Sequence, residues 1–326
     1  MKHIAILVPD GANLSSIEMP RQAFEQANAY RQSRGMDPLF RVQLVGSSET
    51  ITLGRGLYVI YPDTDLSRLR HTDLVLIPAL EGDLEAALVK NQAFIPWILA
   101  RHREGAELAS LCVGAFMLAA TGLLDGRSCS TPWRATEAFR HMYPEVDLVA
   151  DRIITDEAGL YSSGGSLSSA NLILYIIEKY GGREVAIHCA KVFQVDMDRD
   201  SQSPFIIFQG QRNHEDEPVR KAQDFIEQNF QEKITVDQLA SELALGRRSL
   251  ERRFKKATSN TVVEYIQRVK IEAAKKWFEN TPKNINEVMY EVGYSDTKAF
   301  RNVFKKITGL SPIDYRHKYN KMQLAG

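Results

Sequence analysis

One pattern occurs twice in the last third of the chain, about fifty residues apart. The first copy, Thr235 to Thr258, reads T-V-D-Q-L-A-S-E-L-A-L-G-R-R-S-L-E-R-R-F-K-K-A-T. The second, Asn284 to Thr308, reads N-I-N-E-V-M-Y-E-V-G-Y-S-D-T-K-A-F-R-N-V-F-K-K-I-T. Each opens on a residue able to cap a helix N-terminus, Thr235 or Asn284, and Gln238 or Glu287 follows three positions on, as in a capping box. Val236, Leu239 and Leu243 match Ile285, Val288 and Val292 at helical spacing. A turn comes next, Ala244-Leu245-Gly246 in one copy and Gly293-Tyr294-Ser295 in the other, the second one residue longer. Each following helix turns an apolar pair inward, Leu250 with Phe254 and Phe300 with Phe304, and closes on a Lys-Lys doublet. Repetition of this kind limits the fold more sharply than composition can.

The inward pairs fix the outward faces: Arg247, Arg248, Glu251, Arg252 and Lys255 on one helix, and Thr297, Lys298, Arg301, Asn302 and Lys305 on the other. A short helix, a turn and a second helix with an Arg/Lys/Asn face is the helix-turn-helix arrangement, whose second helix lies in the major groove of DNA. Arg can bind guanine O6 and N7 bidentately, Asn can bind adenine N6 and N7, and Lys mainly neutralises phosphate. Arg248, Arg252, Arg301 and Asn302 are therefore the expected base readers, and Lys255, Lys256, Lys305 and Lys306 the phosphate contacts. One copy alone fits an ordinary helical bundle with a solvated basic face equally well; two aligned copies favour DNA. Thr261 to Asn280 reads as a single helix with a capping box at Thr261 and Glu264. Its length, ~30 Å, is close to one turn of B-DNA at roughly 34 Å. A rod of that size can hold two reading heads over successive groove segments.

These residues resemble the arabinose-regulator (AraC/XylS) family of bacterial transcription factors. The matching pieces are L-A-S-E-L, L-E-R-R-F-K-K, R-V-K-I-E-A-A-K-K and the run from Val292 to Arg316, together about the last hundred residues. The resemblance implies a sequence-specific regulator of double-stranded DNA, acting as a homodimer and, as an activator, contacting RNA polymerase. The expected DNA-binding domain is 219–320, with helix-turn-helix units at 236–257 and 285–307.

A length of 326 residues favours two domains, and the formal net charge is +0. That balance hides an asymmetry. Residues 218–326 hold 21 Lys and Arg against 13 Asp and Glu, while the rest hold 20 against 28. A basic module beside an acidic one is the pattern of a DNA-binding head on a body that does not bind DNA. Cys112, Cys129 and Cys189 have no metal-ligand spacing and read as reduced thiols of a cytoplasmic protein. No signal peptide and no membrane span is expected. Residues 1–200 alternate apolar strands (Lys2–Pro9, Phe40–Gly46, Thr72–Ala79, Glu107–Leu111, Val146–Val149, Ile153–Thr155, Leu160–Ser163) with helices (Ser15–Arg31, Leu84–Arg103, Gly114–Leu123, Ser166–Tyr180, Arg183–Phe193), and Ile51–Tyr61 is a hairpin. Pro96 is expected to kink the second of these helices or to divide it in two. The fold class is an α/β three-layer sandwich with a mostly parallel, flavodoxin-like sheet, followed by an all-α domain. A linker is expected at 201–218, with Phe205 to Phe208 docked rather than free, and a helix over Val219–Phe230.

Cys112 lies between a strand and a helix in A-S-L-C-V-G-A-F-M-L-A, at a sharp turn that presents a side chain at the carboxyl end of the sheet. With T-G-L-L-D-G-R, T-P-W and R-D-S-Q-S-P-F, this stretch is similar to the class I glutamine-amidotransferase-like superfamily, in its intracellular-protease/deglycase-like branch. The variant it resembles is the one fused to arabinose-regulator-type domains, which implies a domain that senses a small metabolite and dimerises. A thiolate enzyme needs a base. Where related regulators carry Thr-His-Trp, this chain has Thr131-Pro132-Trp133, and Pro132 cannot serve. His141 lies in a helical pattern. Glu18 sits two positions out of register, with Ser16 nearer the acid's place. Three readings stay open for Cys112: an inert thiol, a ligand pocket on the remains of the elbow (Cys112, Val113, Gly114, Pro132, Trp133), and a thiol hydrolase or amidase. The missing base favours a non-catalytic pocket, and no cofactor or metal is implied. Gly164-Gly165 before Ser166 is either an anion-binding helix start or a plain turn.

Overall fold

The computed structural model describes residues 1–165 and 167–320 and divides the chain into two compact units, Met1–Gln202 and a second beginning at Ser203. In the first unit, β1 (Lys2–Val8) is flanked by β2 (Phe40–Gly46) and, beyond a hairpin of β3 (Ile51–Leu53) and β4 (Tyr58–Ile60), by β5 (Thr64–Asp65). On its other side lie β6 (Leu74–Ile77) and β7 (Glu107–Ser110). Past a small parallel pair, β8 (Ser128–Cys129) with β9 (Asp147–Leu148), come β10 (Ile154–Glu157) and β11 (Leu160–Ser163). The main sheet runs β10-β11-β7-β6-β1-β2-β5, parallel throughout except for the β10–β11 pair.

Alternation along β1 separates two cores. Ile4, Ile6 and Val8 face α1 (Ser15–Ser33) and the later helices α6 (Ser168–Gly181) and α7 (Arg183–Phe193), through Phe24, Ile173, Ile177 and Ala186. Ala5 and Leu7 face the opposite layer, formed by α3 (Phe94–Arg103), α4 (Ala115–Ala119) and α5 (Thr136–Met142), through Ile98, Phe116 and Phe139. A strand buried on both faces must be apolar at every position, which is why it reads as a continuous run.

Three expectations are corrected. The long helix over 84–103 is two, α2 (Leu84–Lys90) and α3, and the break falls at Asn91, not at Pro96. Buried Asn91 accepts from the Asp10 N–H at 2.8 Å and donates to the Asp10 carbonyl at 2.9 Å, which stops the helix. Pro96 sits in the first turn of α3, where no intrahelical N–H bond is lost. The helix after Cys112 is only Ala115–Ala119; β8 had no local signal, while α5 carries the helical pattern around His141. The expected start of α6 at Ser166 lies outside the described residues.

The second unit holds α8 (Glu217–Gln228), α9 (Val236–Glu242), α10 (Arg247–Thr258), α11 (Val262–Asn280), α12 (Ile285–Glu291), α13 (Thr297–Thr308) and α14 (Pro312–Tyr319). It has two cores on one helix. Val262, Tyr265 and Ile266 of α11 pack with Leu239, Leu250 and Phe254; Ile271, Ala274 and Phe278 pack with Val288, Phe300 and Phe304. Between the cores, buried Lys270 donates to the carbonyls of Glu232, Val292 and Gly293 at 3.2, 3.1 and 3.3 Å. Burial lowers its pKa. Residues 204–212 lie against these helices: Lys275 donates to the Ile206 carbonyl at 2.5 Å, and the Phe208 N–H donates to Glu272 at 3.1 Å.

The two helix-turn-helix turns share a backbone requirement. Ala244 and Gly293 both have positive φ, 50° and 73°. At Gly293 an added Cβ falls 2.0 Å from the Gln231 carbonyl oxygen. Gly293→Ala is expected to destabilise the second unit by at least about 2 kcal/mol, since strain and overpacking combine. Ala244→Gly, which meets only the φ term, should be neutral or slightly stabilising. Urea unfolding followed by circular dichroism measures both.

Candidate functional site

Both reading units are built as the repeat requires. Thr235 accepts from the Gln238 N–H at 3.1 Å, and at Asn284 and Glu287 both halves of the capping box form. Leu250, Phe254, Phe300 and Phe304 are fully buried. The repeat also reaches further than the sequence suggested. Thr258 and Thr308 each donate back to the carbonyl four residues earlier and accept from an N–H two residues later. Each precedes a residue of positive φ, Ser259 or Gly309, and a new capped helix. Tyr265 stands edge-on to Phe254 at 5.2 Å and Tyr315 edge-on to Phe304 at 5.4 Å. Their hydroxyls donate to Glu227 of α8 and Glu279 of α11. The duplicated object is therefore four helices, α8 to α11 and α11 to α14, with α11 belonging to both.

The predicted outer faces are solvent-facing. Arg248, Arg252, Lys255 and Lys256 of α10, and Lys298, Arg301, Asn302, Lys305 and Lys306 of α13, are exposed, while Glu251 and Thr297 are half-buried. Arg247 is engaged: it donates to Asp237 at 2.9 Å and to Glu251 at 3.2 Å. Lys255 donates to the Ser259 carbonyl at 2.9 Å. Sequence reasoning passed over Arg253. Its guanidinium grips Asp216, the N-cap of α8, through bonds of 2.8 and 2.9 Å, and so locks α10 to the helix that opens the unit.

The elbow in the first unit has the expected geometry. Cys112 is half-buried with a φ of 56°, directly after β7, and its N–H donates to Ser163 Oγ at 3.1 Å. Gly114 is mandatory: a Cβ there lies 2.5 Å from the Ile77 carbonyl oxygen and 2.6 Å from that of Pro78. Gln202 bridges the neighbouring loop, accepting from the Trp133 N–H at 3.2 Å and donating to the Thr131 carbonyl at 2.9 Å. Its amide also lies against Gly164, which follows Ser163. Cys112, Ser163, Gly164, Thr131, Trp133 and Gln202 are thus tied together. Among the described residues, the buried hydroxyls of Thr131 and Ser168 find no hydrogen-bond partner.

Of the five histidines of this unit, His3, His102 and His188 are bonded to other groups, and His71 and His141 are exposed. His3 meets Thr72 and Gln43, His102 the Ala106 carbonyl, and His188 Gln26, while His141 is exposed in the last turn of α5. Glu18 is held by Arg21 at 2.6 and 2.7 Å, which lowers its pKa. Ser16 stands nearer the sheet end, accepting from the Ala79 N–H at 3.0 Å.

A profile of the DJ-1/PfpI family matches residues 2–179, more than half of the chain. The chain belongs to the DJ-1/PfpI family. To this it joins an AraC-type unit, where a helix-turn-helix domain profile matches residues 239–318. This DJ-1/PfpI protein is 26% identical over 268 residues to the HTH-type transcriptional regulator GbdR of Pseudomonas aeruginosa, covering 79% of this chain and 69% of that one. It is 23% identical to the HTH-type transcriptional regulator CdhR of the same species, over 85% of this chain and 82% of the relative. The bifunctional transcriptional activator/DNA repair enzyme AdaA of Bacillus subtilis is 39% identical over 93 residues, 28% of this chain and 44% of AdaA. Among solved structures, an AraC family transcriptional regulator from Pseudomonas putida matches with a TM-score of 0.50 at 17% identity, over 59% of this chain and 100% of that one. A ThiJ/PfpI family protein from Pseudomonas syringae matches at 0.51 and 18%, over 61% and 76%. These likenesses show the DJ-1/PfpI fold.

Two measurements follow from the geometry. Cys129 and Cys189 are buried, which pushes their thiols up to about 12 and about 11. Iodoacetamide at pH 8 should label the folded DJ-1/PfpI unit at Cys112 alone and label all three cysteines in urea, as read by peptide mass spectrometry. The Arg253 guanidinium lowers the Asp216 pKa. The stability this pair contributes is present above the ordinary Asp value, about 4, and is lost as pH falls through the lowered folded value. Asp216→Asn should therefore lower the melting temperature at pH 7 and flatten its dependence on pH below about 4.

Proposed function

We propose that the chain is a sequence-specific DNA-binding transcription regulator, with α10 and α13 each placed in the major groove of one half-site. One observation carries this reading: two structurally equivalent helices, both seated on α11, present Arg248, Arg252, Arg301 and Asn302 to solvent. Helix α11 has 19 residues and spans about 28 Å, within reach of the spacing between successive groove segments. The names of GbdR and CdhR support the regulator class, and the name of AdaA supports an activator, which would contact RNA polymerase. Domain roles are assigned accordingly: residues 1–200 sense and dimerise, and residues 219–320 bind DNA.

The DJ-1/PfpI unit holds a small metabolite at the elbow, lined by Cys112, Val113, Gly114, Pro132 and Trp133. The unpartnered buried hydroxyl of Thr131 supports a polar ligand there. The elbow backbone at Cys112 favours a second reading, a thiol hydrolase. Against it stands the placement of the histidines: Pro132 fills the position of the base, and none of His3, His102 and His188 is left to swing in. Among the described residues no helix is long and apolar enough to cross a membrane, in keeping with a cytoplasmic regulator.

Selection of bound fragments from genomic DNA, followed by gel-shift titration at several salt concentrations, tests the reading; a steep fall of affinity with salt is expected. Arg301→Ala should cost about 1–3 kcal/mol and relax the preference at one base pair. Unchanged affinity and unchanged base preference in that variant rule out this placement of α13.

A further inference from the structure

Gln202 is the last residue of the first unit, and it is 2% exposed. Its side chain fills a site made for an amide. Nε2 donates to the carbonyls of Thr131, Ala150 and Arg152 at 2.9, 2.8 and 3.4 Å, and Oε1 accepts from the Trp133 N–H at 3.2 Å. The backbone N–H of Gln202 donates to the Asp151 carbonyl at 2.8 Å. Gly164 abuts the amide, since a Cβ placed there lies 3.2 to 3.4 Å from its three terminal atoms. Gln202 therefore touches both the Thr131–Trp133 loop and the Ser163–Gly164 turn, whose Ser163 also accepts from the Cys112 N–H.

The peptide bond after Gln202 leads straight into a segment held by the second unit. The Pro204 carbonyl accepts from Tyr319 at 3.1 Å, and Lys318 lies 4.7 Å from the centre of the Phe205 ring. The Ile206 carbonyl and the Phe208 N–H engage Lys275 and Glu272, themselves a buried ion pair at 2.7 Å. Phe208 stands edge-on to Tyr265 at 5.1 Å, and Tyr265 closes the core of α10 through Phe254. Gln211 and Arg212 finish the attachment on Gln223, Asp224 and Glu227. From Gln202 to Pro204 there is one intervening residue, so the sequence leaves little slack between an anchor at the pocket and an anchor on the reading unit.

We propose that Gln202 is the residue through which occupancy of the elbow pocket is transmitted to the DNA-binding unit. This rests on the regulator reading given above. An occupant that takes the Trp133 N–H or the Thr131 carbonyl competes with the Gln202 amide, and displacement of that amide pulls or releases the segment 203–212. Its grip on Glu272, Lys275 and Tyr265 then changes, and with it the seating of α10. Gln202 is a positioning residue in this scheme.

Gly164→Ala serves as an occupant surrogate, because its methyl crowds the Gln202 amide to 3.2–3.4 Å at a backbone position that has no positive φ. The test compares full-length wild type, Gly164→Ala, Gln202→Ala and the double variant by hydrogen exchange of amides 205–211 and by gel shift on a fragment selected by the wild type. Each single variant should speed exchange in that segment by about three- to tenfold, the effect of losing one or two hydrogen bonds, and should shift DNA affinity. In the Gln202→Ala background, Gly164→Ala should add nothing. A purely structural role for Gln202 speeds exchange around Thr131–Trp133 and leaves 205–211 unchanged; that result overturns the proposal, as does an additive double variant. If Gln202→Ala does not fold, unchanged exchange at 205–211 in Gly164→Ala still overturns it. A wild type that selects no DNA sinks the regulator reading instead, and the exchange data then judge the coupling independently.

Discussion

Helix α11 belongs to two hydrophobic cores at once, and the geometry of the second unit depends on that double membership. Its N-terminal half supplies Val262, Tyr265 and Ile266 to the first core, and its C-terminal half supplies Ile271, Ala274 and Phe278 to the second. Each reading helix is fixed to this common member by an inward i, i+4 pair and by an aromatic edge contact, Phe254 on Tyr265 and Phe304 on Phe278. The side chains left over on α10 and α13 are long, charged and unable to join either core, so packing itself decides which face meets solvent. The interface chemistry is thus a by-product of how the apolar residues are satisfied.

The duplication was legible because period and capping are local signals. Thr235, Asn284, Leu250, Phe254, Phe300 and Phe304 all lie where spacing places them. The extension of the repeat was not legible, because its marks are non-local. Tyr265 meets Glu227 across 38 positions and Tyr315 meets Glu279 across 36, and neither glutamate stands out in its own helix. Arg253 illustrates the converse. In the run L-E-R-R-F-K-K it looks like one more basic residue, yet its partner is a helix cap 37 positions earlier. In the first unit, buried strands were easy to see as apolar runs. The two-residue strand β8 and the break at Asn91 depend on tertiary hydrogen bonds that leave no periodic trace.

The elbow separates backbone geometry from side-chain chemistry. The strained φ at Cys112 and the steric demand at Gly114 persist, and both are backbone properties of the strand-to-helix turn. Pro132 offers no ionisable group, and side chains are where reactivity resides. On and beside the strands that lead to the elbow, serine hydroxyls bond to one another, to Thr155 or to nearby backbone: Ser110, Ser162, Ser163 and Ser169. The bonding of Gln202 was hidden for a related reason. The motif R-D-S-Q-S-P-F marks the stretch, but its amide partners are three carbonyls and an N–H that no sequence pattern encodes.

Lys270 divides the lysines of the second unit into two chemical populations. Its ammonium is spent on three carbonyls drawn from the segments after α8 and α12, and it is shielded from reagents, as is Lys275. Lys298, Lys305 and Lys306 stand in water. An acylating reagent therefore stains one set and spares the other for as long as the two cores remain closed. Amine chemistry on this protein doubles as a footprint of the surface offered to a polyanion and as an alarm for the opening of the shared helix.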